Sequence, residues 1–510
     1  MKTVLAYDLG GSALRAALID TQGQMVTSTS APLHFISERP DWSEAEPNEW
    51  WESFALVTRK ILDQTAAAGV EIKCLVISGM TRTQIFVDAG GQPLRRAMTW
   101  ADGRATKEAR ELQNALAGRI EGEAPSAPLN AYHPFARILW VRRNEPLTYG
   151  QTQYVLEPKD FLNLRLTAKA ASDRISQNSV LGKKTGQLPA GLLSDVGLDA
   201  ERLPPLAEPG DYLGDVQPQL EAPFDRLVGT PVFVGGMDTW CASVGMGCHF
   251  DGCGLNVSGT SEVFGIVSAD SYEVDGLVTA PWGEGLYLIG GPSQVGADCL
   301  KWFAEAFSRK LKNSDVSALL TELTKGGRKS QPIVFLPYLR GERTPLWEPK
   351  ARGLFLGINR DHKWIDFLWA VVEGVALANR QILQLATKSQ PDRVREVRIG
   401  GGAARSEVWC QVKADVLNRP IVRTGITEAG LLGAGIVGYC GLGEYSSLAQ
   451  AESAMIRIDK IFEPGAGPWD WRRDVYDRLY ERFVEIQAVA IPLARSLTDA
   501  EQQGLGFVQT

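Results

Sequence analysis

Short β-branched apolar runs broken by glycine recur along the chain, and they predict strands that end in tight turns. Residues 3–7 form such a run, ending in Asp8-Leu9-Gly10-Gly11-Ser12, and a second run at 13–19 follows with no room for a helix between them. Thr21-Gln22-Gly23-Gln24 turns the chain into a third strand at 25–28. That is a β-meander, unlike the strand-to-helix turn of a dinucleotide or Walker site. Residues 232–234 read as a buried strand that Gly235-Gly236 ends, which delivers Asp238 to a strand's carboxyl end. Residues 255–258 then break into Gly259-Thr260-Ser261. The second half thus echoes the first: strand, glycine turn with a hydroxyl, strand.

Between these motifs the period lengthens. Residues 46–67 predict a helix with Asn48 as its cap and Trp50, Trp51, Phe54, Val57 and Ile61 along one face. A buried strand at 75–77 leads to Ser78-Gly79-Met80-Thr81-Arg82, and 85–87 is expected to continue the same sheet. Residues 120–230 are punctuated by proline, with helices opening at His133 and near Asp160. Further helices are expected at 296–307 and 364–387. A strand at 394–399 opens into Gly400-Gly401-Gly402-Ala403-Ala404-Arg405-Ser406, just before a helix at 407–417. The 427–439 helix carries Ala429, Gly430, Gly433, Ala434, Gly435 and Gly438, so another backbone or a nucleotide can come close. An amphipathic helix from Asp470 to Ile491 is expected to stop at Pro492.

With 510 residues, the chain exceeds one hydrophobic core, and we expect a boundary near residue 245, giving domains 1–245 and 246–510. Hydrophobic residues at 44% and charged ones at 22% are ordinary for a soluble globular protein. The net charge of −7 disfavours nucleic acid or an anionic membrane as partner. No apolar run approaches membrane-spanning length, and Asp8 comes too early for a signal peptide. Seven cysteines without metal-ligand spacing point to reduced thiols in a cytoplasmic protein.

A carboxylate at a strand end combined with a glycine–hydroxyl turn suggests phosphoryl transfer, with Asp238 taking the proton of an attacking hydroxyl. A polar strand end beside a plain β-turn is the alternative. The recurrence of the turn favours two phosphate sites on a duplicated fold, with a nucleotide between halves. The 400–406 glycine run could seat an adenine or ribose against backbone. Trp100, Asp102 and Arg104 are the residue types of a sugar site, and a surface ion pair beside a half-buried tryptophan would use the same types.

Taken in order, these blocks resemble the FGGY carbohydrate kinase family over nearly the whole chain. Asp8 to Ser12 with Arg15 resembles its first phosphate motif, Trp100 to Arg104 its sugar-side Trp-x-Asp-x-Arg, and Gly235 to Asp238 its catalytic block. Ser258 to Ser261 is similar to its second phosphate motif, residues 353–373 to its signature, and 400–415, with Ser406, Trp409, Gln411 and Asp415, to its adenosine motif. The resemblance implies an α/β fold of two duplicated actin-like, ribonuclease H-type domains with an interdomain cleft, the first binding sugar and the second nucleotide. It implies ATP and Mg²⁺ as cofactors and a small-molecule sugar as partner, and it allows a homodimer. Asp238 would be the base and Asp8 the metal residue. Thr81, Arg82, Trp100, Asp102, Arg104 and Asp238 would line the sugar. Gly10, Gly11, Ser12, Arg15, Gly259, Thr260, Ser261, Gly401, Gly402, Ala403 and Ser406 would hold the nucleotide. Asp41 to Glu44 and Asn48 to Trp51 favour D-xylulose, phosphorylated to D-xylulose 5-phosphate. Another pentulose, a polyol or a sugar acid (ribulose, glycerol, gluconate type) is the alternative, as is a non-catalytic actin-like ATP-binding protein. Two departures stand out: Gly11 where the family usually has threonine, and Met80-Thr81-Arg82-Thr83 where xylulose kinases usually carry Gln-Met-His-Gly.

Overall fold

The structure, a computed structural model, describes residues 1–39, 41–65, 69–117, 124–183, 185–307, 316–325, 332–426, 428–467 and 472–502. They divide into two compact units: Met1–Gly247 with Glu428–Ile456, and Cys248–Thr427 with Arg457–Thr510.

The first unit is built on β1 (Lys2–Leu9), β2 (Ala13–Asp20), β3 (Met25–Pro32), β4 (Glu71–Gly79), β5 (Tyr212–Asp215) and β6 (Pro231–Phe233). Their order in the sheet is β5-β6-β4-β1-β2-β3. The first three strands form an antiparallel meander, β4 runs parallel to β1 and β6 parallel to β4, and β5 closes the edge antiparallel. Helix Pro47–Thr65 buries Trp50, Phe54, Val57 and Ile61 against this sheet, and the Tyr7 ring lies tilted against Phe54 at 4.4 Å.

The second unit repeats the plan with β7 (Cys253–Ser258), β8 (Glu262–Ser268), β9 (Val278–Gly283), β10 (Leu286–Ser293), β11 (Glu396–Gly400), β12 (Ile421–Thr424) and β13 (Ile458–Phe462). The order is β9-β10-β8-β7-β11-β12-β13. Again there is an antiparallel meander (β7, β8, β10), then two parallel strands and an antiparallel edge, with β9 added outside β10. Helix Trp364–Ala386 packs a long apolar face into this unit's core. The mixed sheets and helices make the chain the two-domain α/β protein that its motifs imply.

Four details differ from expectation, and two expected helix starts are left without a description. Residues 85–87 do not extend the first sheet but pair antiparallel with Tyr154–Leu156 in a sheet of their own. Asn48 lies inside helix Pro47–Thr65, where its side-chain oxygen accepts from Arg165. Pro492 does not end its helix, which runs from Arg473 to Gln502. Asp470 lies outside the described residues, as does Thr427 at the start of the small-residue helix.

The fourth is the return of Glu428–Ile456 to the first unit, where a single boundary near 245 would leave it in the second. Its helix, Ala429–Gly441, packs backbone against backbone on helix Asp238–Gly245. A Cβ on Gly433 would lie 1.8 Å from the Cys241 carbonyl oxygen, and one on Gly245 1.9 Å from that of Ala429. Of the two partners that small residues allow, this helix meets another backbone.

Candidate functional site

In the first unit three neighbouring strand ends converge. Asp8 on β1 stands in register with Ser78 on β4, and the Gly79 N–H donates to the Gly236 carbonyl at 3.2 Å. From β6 the chain passes Gly235, with φ +74° and room for a Cβ only 2.0 Å from the Ile77 carbonyl oxygen. No side chain fits that turn, and the turn brings Asp238 to the first position of its helix.

Asp8 is mostly shielded from solvent, and its Oδ1 is buried without a hydrogen-bond partner. Burial, and then the nearby negative charge of Asp238, push the Asp8 carboxyl up to about 7, against the pull of Arg15. Burial raises Asp238 as well, opposed by the backbone N–H and hydroxyl of Thr239, which donate to Oδ1 at 2.6 and 3.1 Å. The start of helix Ala429–Gly441 closes on the same carboxylate: a Cβ on Gly430 would lie 3.0 Å from Asp8 Oδ2. Arg15, in register with Asp8 across the hairpin, pairs with Glu428 at 3.4 Å. Among the described residues no group of three or more His, Cys, Asp or Glu could hold a metal. Asp8 nevertheless suits Mg²⁺, which takes one or two carboxylates and otherwise water and phosphate oxygens.

The Trp100–Arg104 segment inverts its expected arrangement. Trp100 is 44% exposed, whereas Asp102 and Arg104 are buried. Arg104 Nε and Nη2 fork onto Asp102 at 2.9 and 2.6 Å, Nη2 also reaches Glu44 at 2.8 Å, and the guanidinium lies 3.4 Å above the Trp42 ring. Asp102 further accepts the Ser43 N–H at 2.8 Å. Asp102 thus spends its oxygens on Arg104 and the Ser43 N–H, whereas Arg104 spends Nε and Nη2 on Asp102 and Glu44 and keeps Nη1 buried without a hydrogen-bond partner. These bonds tie the loop that carries Trp100 to the Trp42–Glu44 segment.

Arg82 adopts φ +55°, held by Glu157: the Arg82 and Thr83 N–H groups donate to its two oxygens at 3.0 and 3.1 Å. Thr81 sits beside it, partly exposed. Glu157 was not legible as a site residue; its one local signal is a Glu-Pro step opening helix Pro158–Thr167.

In the second unit the turn tips are open. Thr260 and Ser261 are exposed, as Gly11 and Ser12 are in the first. Each turn is closed by its leading glycine, Gly10 N–H to the Ala13 carbonyl and Gly259 N–H to that of Ser261, both at 3.1 Å. Gly401, at φ +89°, has room for a Cβ only 2.5 Å from the Ser258 carbonyl oxygen, whereas Gly402 meets nothing within 4 Å. Ser406 uses its hydroxyl to cap helix Glu407–Leu417, accepting the Trp409 N–H. Ala403 stays partly exposed beside Gly402.

Beneath these motifs lies a charged cluster that apolar patterning hides. Lys413 Nζ donates to both Glu262 oxygens at 2.9 and 2.8 Å, to Asn256 Oδ1 at 2.8 Å and to Asn379. Glu262 also accepts the Ser258 hydroxyl, whose oxygen accepts the Trp409 indole N–H at 3.0 Å. The β7–β8 hairpin, helix Trp364–Ala386 and helix Glu407–Leu417 are thereby tied together. Lysine on the buried face of that helix was the available signal.

Residues 3–245 match the FGGY family of carbohydrate kinases, N-terminal domain, and residues 254–441 the C-terminal domain. The chain is 30% identical to a xylulose kinase from Klebsiella pneumoniae over 84% of this chain and 88% of that one. It is 24% identical to a glycerol kinase from Janthinobacterium over 94% and 98%. The solved xylulose kinase from Rhodospirillum rubrum aligns with a TM-score of 0.83 at 24% identity, covering 97% of this chain and 100% of that one. With both family domains matched in order, this chain belongs to the FGGY family of carbohydrate kinases.

Proposed function

We propose that this protein is an ATP-dependent sugar kinase that phosphorylates a primary hydroxyl of a small sugar, with D-xylulose as the leading acceptor. The observation that carries the reading is the pair of strand-end carboxylates, Asp8 and Asp238, set beside each other with one Asp8 oxygen left unpartnered. Xylulose kinases among the relatives support the acceptor.

Asp238 is the general base on the acceptor hydroxyl; burial raises its affinity for the proton it must accept, which suits that task. Asp8 would hold Mg²⁺. What the metal supplies when bound is neutralisation of charge on the β- and γ-phosphates. Gly11 and Ser12 in the first unit, and Thr260 and Ser261 in the second, offer exposed N–H and hydroxyl donors to phosphate oxygens, in turns closed by Gly10 and Gly259 and with the Arg15 charge beside the first. Gly402 and Ala403 give the adenosine a flat backbone approach, with Gly401 and Ser406 shaping that surface. On the acceptor side Thr81, Arg82 and Trp100 contact sugar, while Asp102 and Arg104 hold the loop.

The test is coupled ADP release over a panel of pentuloses, polyols and sugar acids. D-xylulose is expected to give turnover that depends on both ATP and Mg²⁺. A panel that releases no ADP above the sugar-free background would overturn the kinase reading.

A further inference from the structure

Arg15 stands beside the first turn with its guanidinium stretched between two neighbours. Its Nε pairs with Glu428 Oε2 at 3.4 Å. Its Nη1 lies over the turn's leading glycine, where a Cβ on Gly10 would come within 3.7 Å of it. The strand register opposite Asp8 fixes the Arg15 backbone but leaves a long side chain free to swing. A guanidinium is planar and rigid, so a partner on Nε decides where the terminal nitrogens aim.

Glu428 is itself well placed to be that partner. It directly precedes helix Ala429–Gly441, which meets helix Asp238–Gly245 backbone to backbone at Gly433 and Gly245. Its side chain makes no capping bond to its own helix and reaches Arg15 instead. The two side chains are 33% and 32% exposed, and an ion pair that open to water adds little to stability. Nor can Glu428 attract a phosphate by its own charge, which has the phosphate's sign and already acts against Asp8. With neither stability nor attraction to supply, what the carboxylate offers the turn is aim.

We propose that Glu428 is a positioning residue for Arg15, holding the guanidinium over the Gly10–Ser12 turn so that its terminal N–H groups meet the phosphate oxygens of the nucleotide. Glu428 acts through Arg15 alone. Because its helix is packed on the one that begins with Asp238, the base and the phosphate-facing arginine are both set by one pair of helices. This inference rests on the reading above in one respect, the assignment of nucleotide phosphate to the first turn.

The experiment is calorimetric titration of ATP, with Mg²⁺ present, into wild type, Glu428→Gln, Glu428→Asp, Arg15→Met and the double variant Arg15→Met with Glu428→Gln. The melting temperature of each protein is measured alongside. Arg15→Met should weaken ATP binding by roughly 10- to 100-fold, the scale of a charge-assisted hydrogen bond. Glu428→Gln keeps the side chain's size and loses its charge, and should weaken binding by roughly 3- to 10-fold. Charge alone predicts the opposite sign, because neutralising a carboxylate beside a phosphate removes a repulsion. Glu428→Asp, with its charge on a shorter stem, should fall between wild type and Glu428→Gln. Once Arg15 is gone, Glu428→Gln should no longer weaken binding, whereas a merely structural role would persist in that background and in the melting temperature. Unchanged or tighter ATP binding in Glu428→Gln would overturn the inference, as would a double variant in which the two losses add. Coupled ATP binding without phosphorylation of any sugar would overturn the sugar-kinase reading alone. A wild type that binds no ATP would overturn both.

Discussion

The β1–β2 and β7–β8 hairpins share one topology and differ in what lies behind the turn. Behind the first, Asp8 keeps an unpartnered oxygen, and its strongest charged neighbour, Asp238, is of its own sign, with Arg15 opposing it and Glu428 adding to it. Behind the second, Glu262 is bonded to Lys413 and Ser258, and the lysine is further bonded to two asparagines. The duplicated frame has one end left electrostatically unfinished and the other tied off. Chemistry needs the unfinished kind, because a free carboxylate oxygen can take a metal or a proton without first breaking an ion pair. A rigid phosphate cradle needs the other kind, because donors aimed in advance cost no reorganisation.

The widest separation between the two ends comes from Asp238→Asn. It retains shape and loses proton acceptance, so kcat should fall by roughly 10²–10⁴ with ATP affinity nearly unchanged. Turnover within threefold of wild type would remove the base from the first end.

Cutting the knot at the second end should cost stability rather than chemistry. Lys413→Met leaves Glu262 buried and unpaired, an expected loss of about 3–5 kcal/mol in denaturant unfolding. The double variant Glu262→Leu with Lys413→Met should recover a large part of that loss. A double variant as unstable as the sum of the two singles would show that the pair is not one unit.

The neighbouring glycines separate folding from binding within the second end. Gly401→Ala meets the Ser258 carbonyl at positive φ and should destabilise by about 1–3 kcal/mol. Gly402→Val meets no protein atom, so it should raise the KM for ATP while the melting temperature holds. Equal nucleotide titrations for wild type and Gly402→Val would take the adenosine away from this loop.

The smallest effect comes from making the first turn resemble the second. Gly11→Thr supplies the hydroxyl that Thr260 supplies in the other hairpin, at a site with open space around the added Cβ. A gain of about 0.5–1.5 kcal/mol in ATP binding is expected by calorimetry. No change would mean that Ser12 already fills that contact.

Much of this was legible in the residue order. The hairpins follow from β-branched runs broken by glycine, and Gly235 and Gly401 announce turns that no other residue could make. These are local rules, satisfied within a few residues, so the chain alone determined both meanders, the strand-end positions of Asp8 and Asp238, and most helices. The tertiary structure decided which groups are spent. Asp102 and Arg104 read as exposed sugar-side types in the sequence, and in the fold Glu44 and the Ser43 N–H reach them from a distant segment and leave Arg104 Nη1 without a partner. Glu262 and Lys413 are bonded across 151 residues, and Arg82 is shaped by a glutamate 75 residues on. Helix Ala429–Gly441 advertised only that something would come close, and the fold chose helix Asp238–Gly245. A polar side chain's role depends on whether folding supplies it with a partner, and that partner can come from anywhere in the sequence.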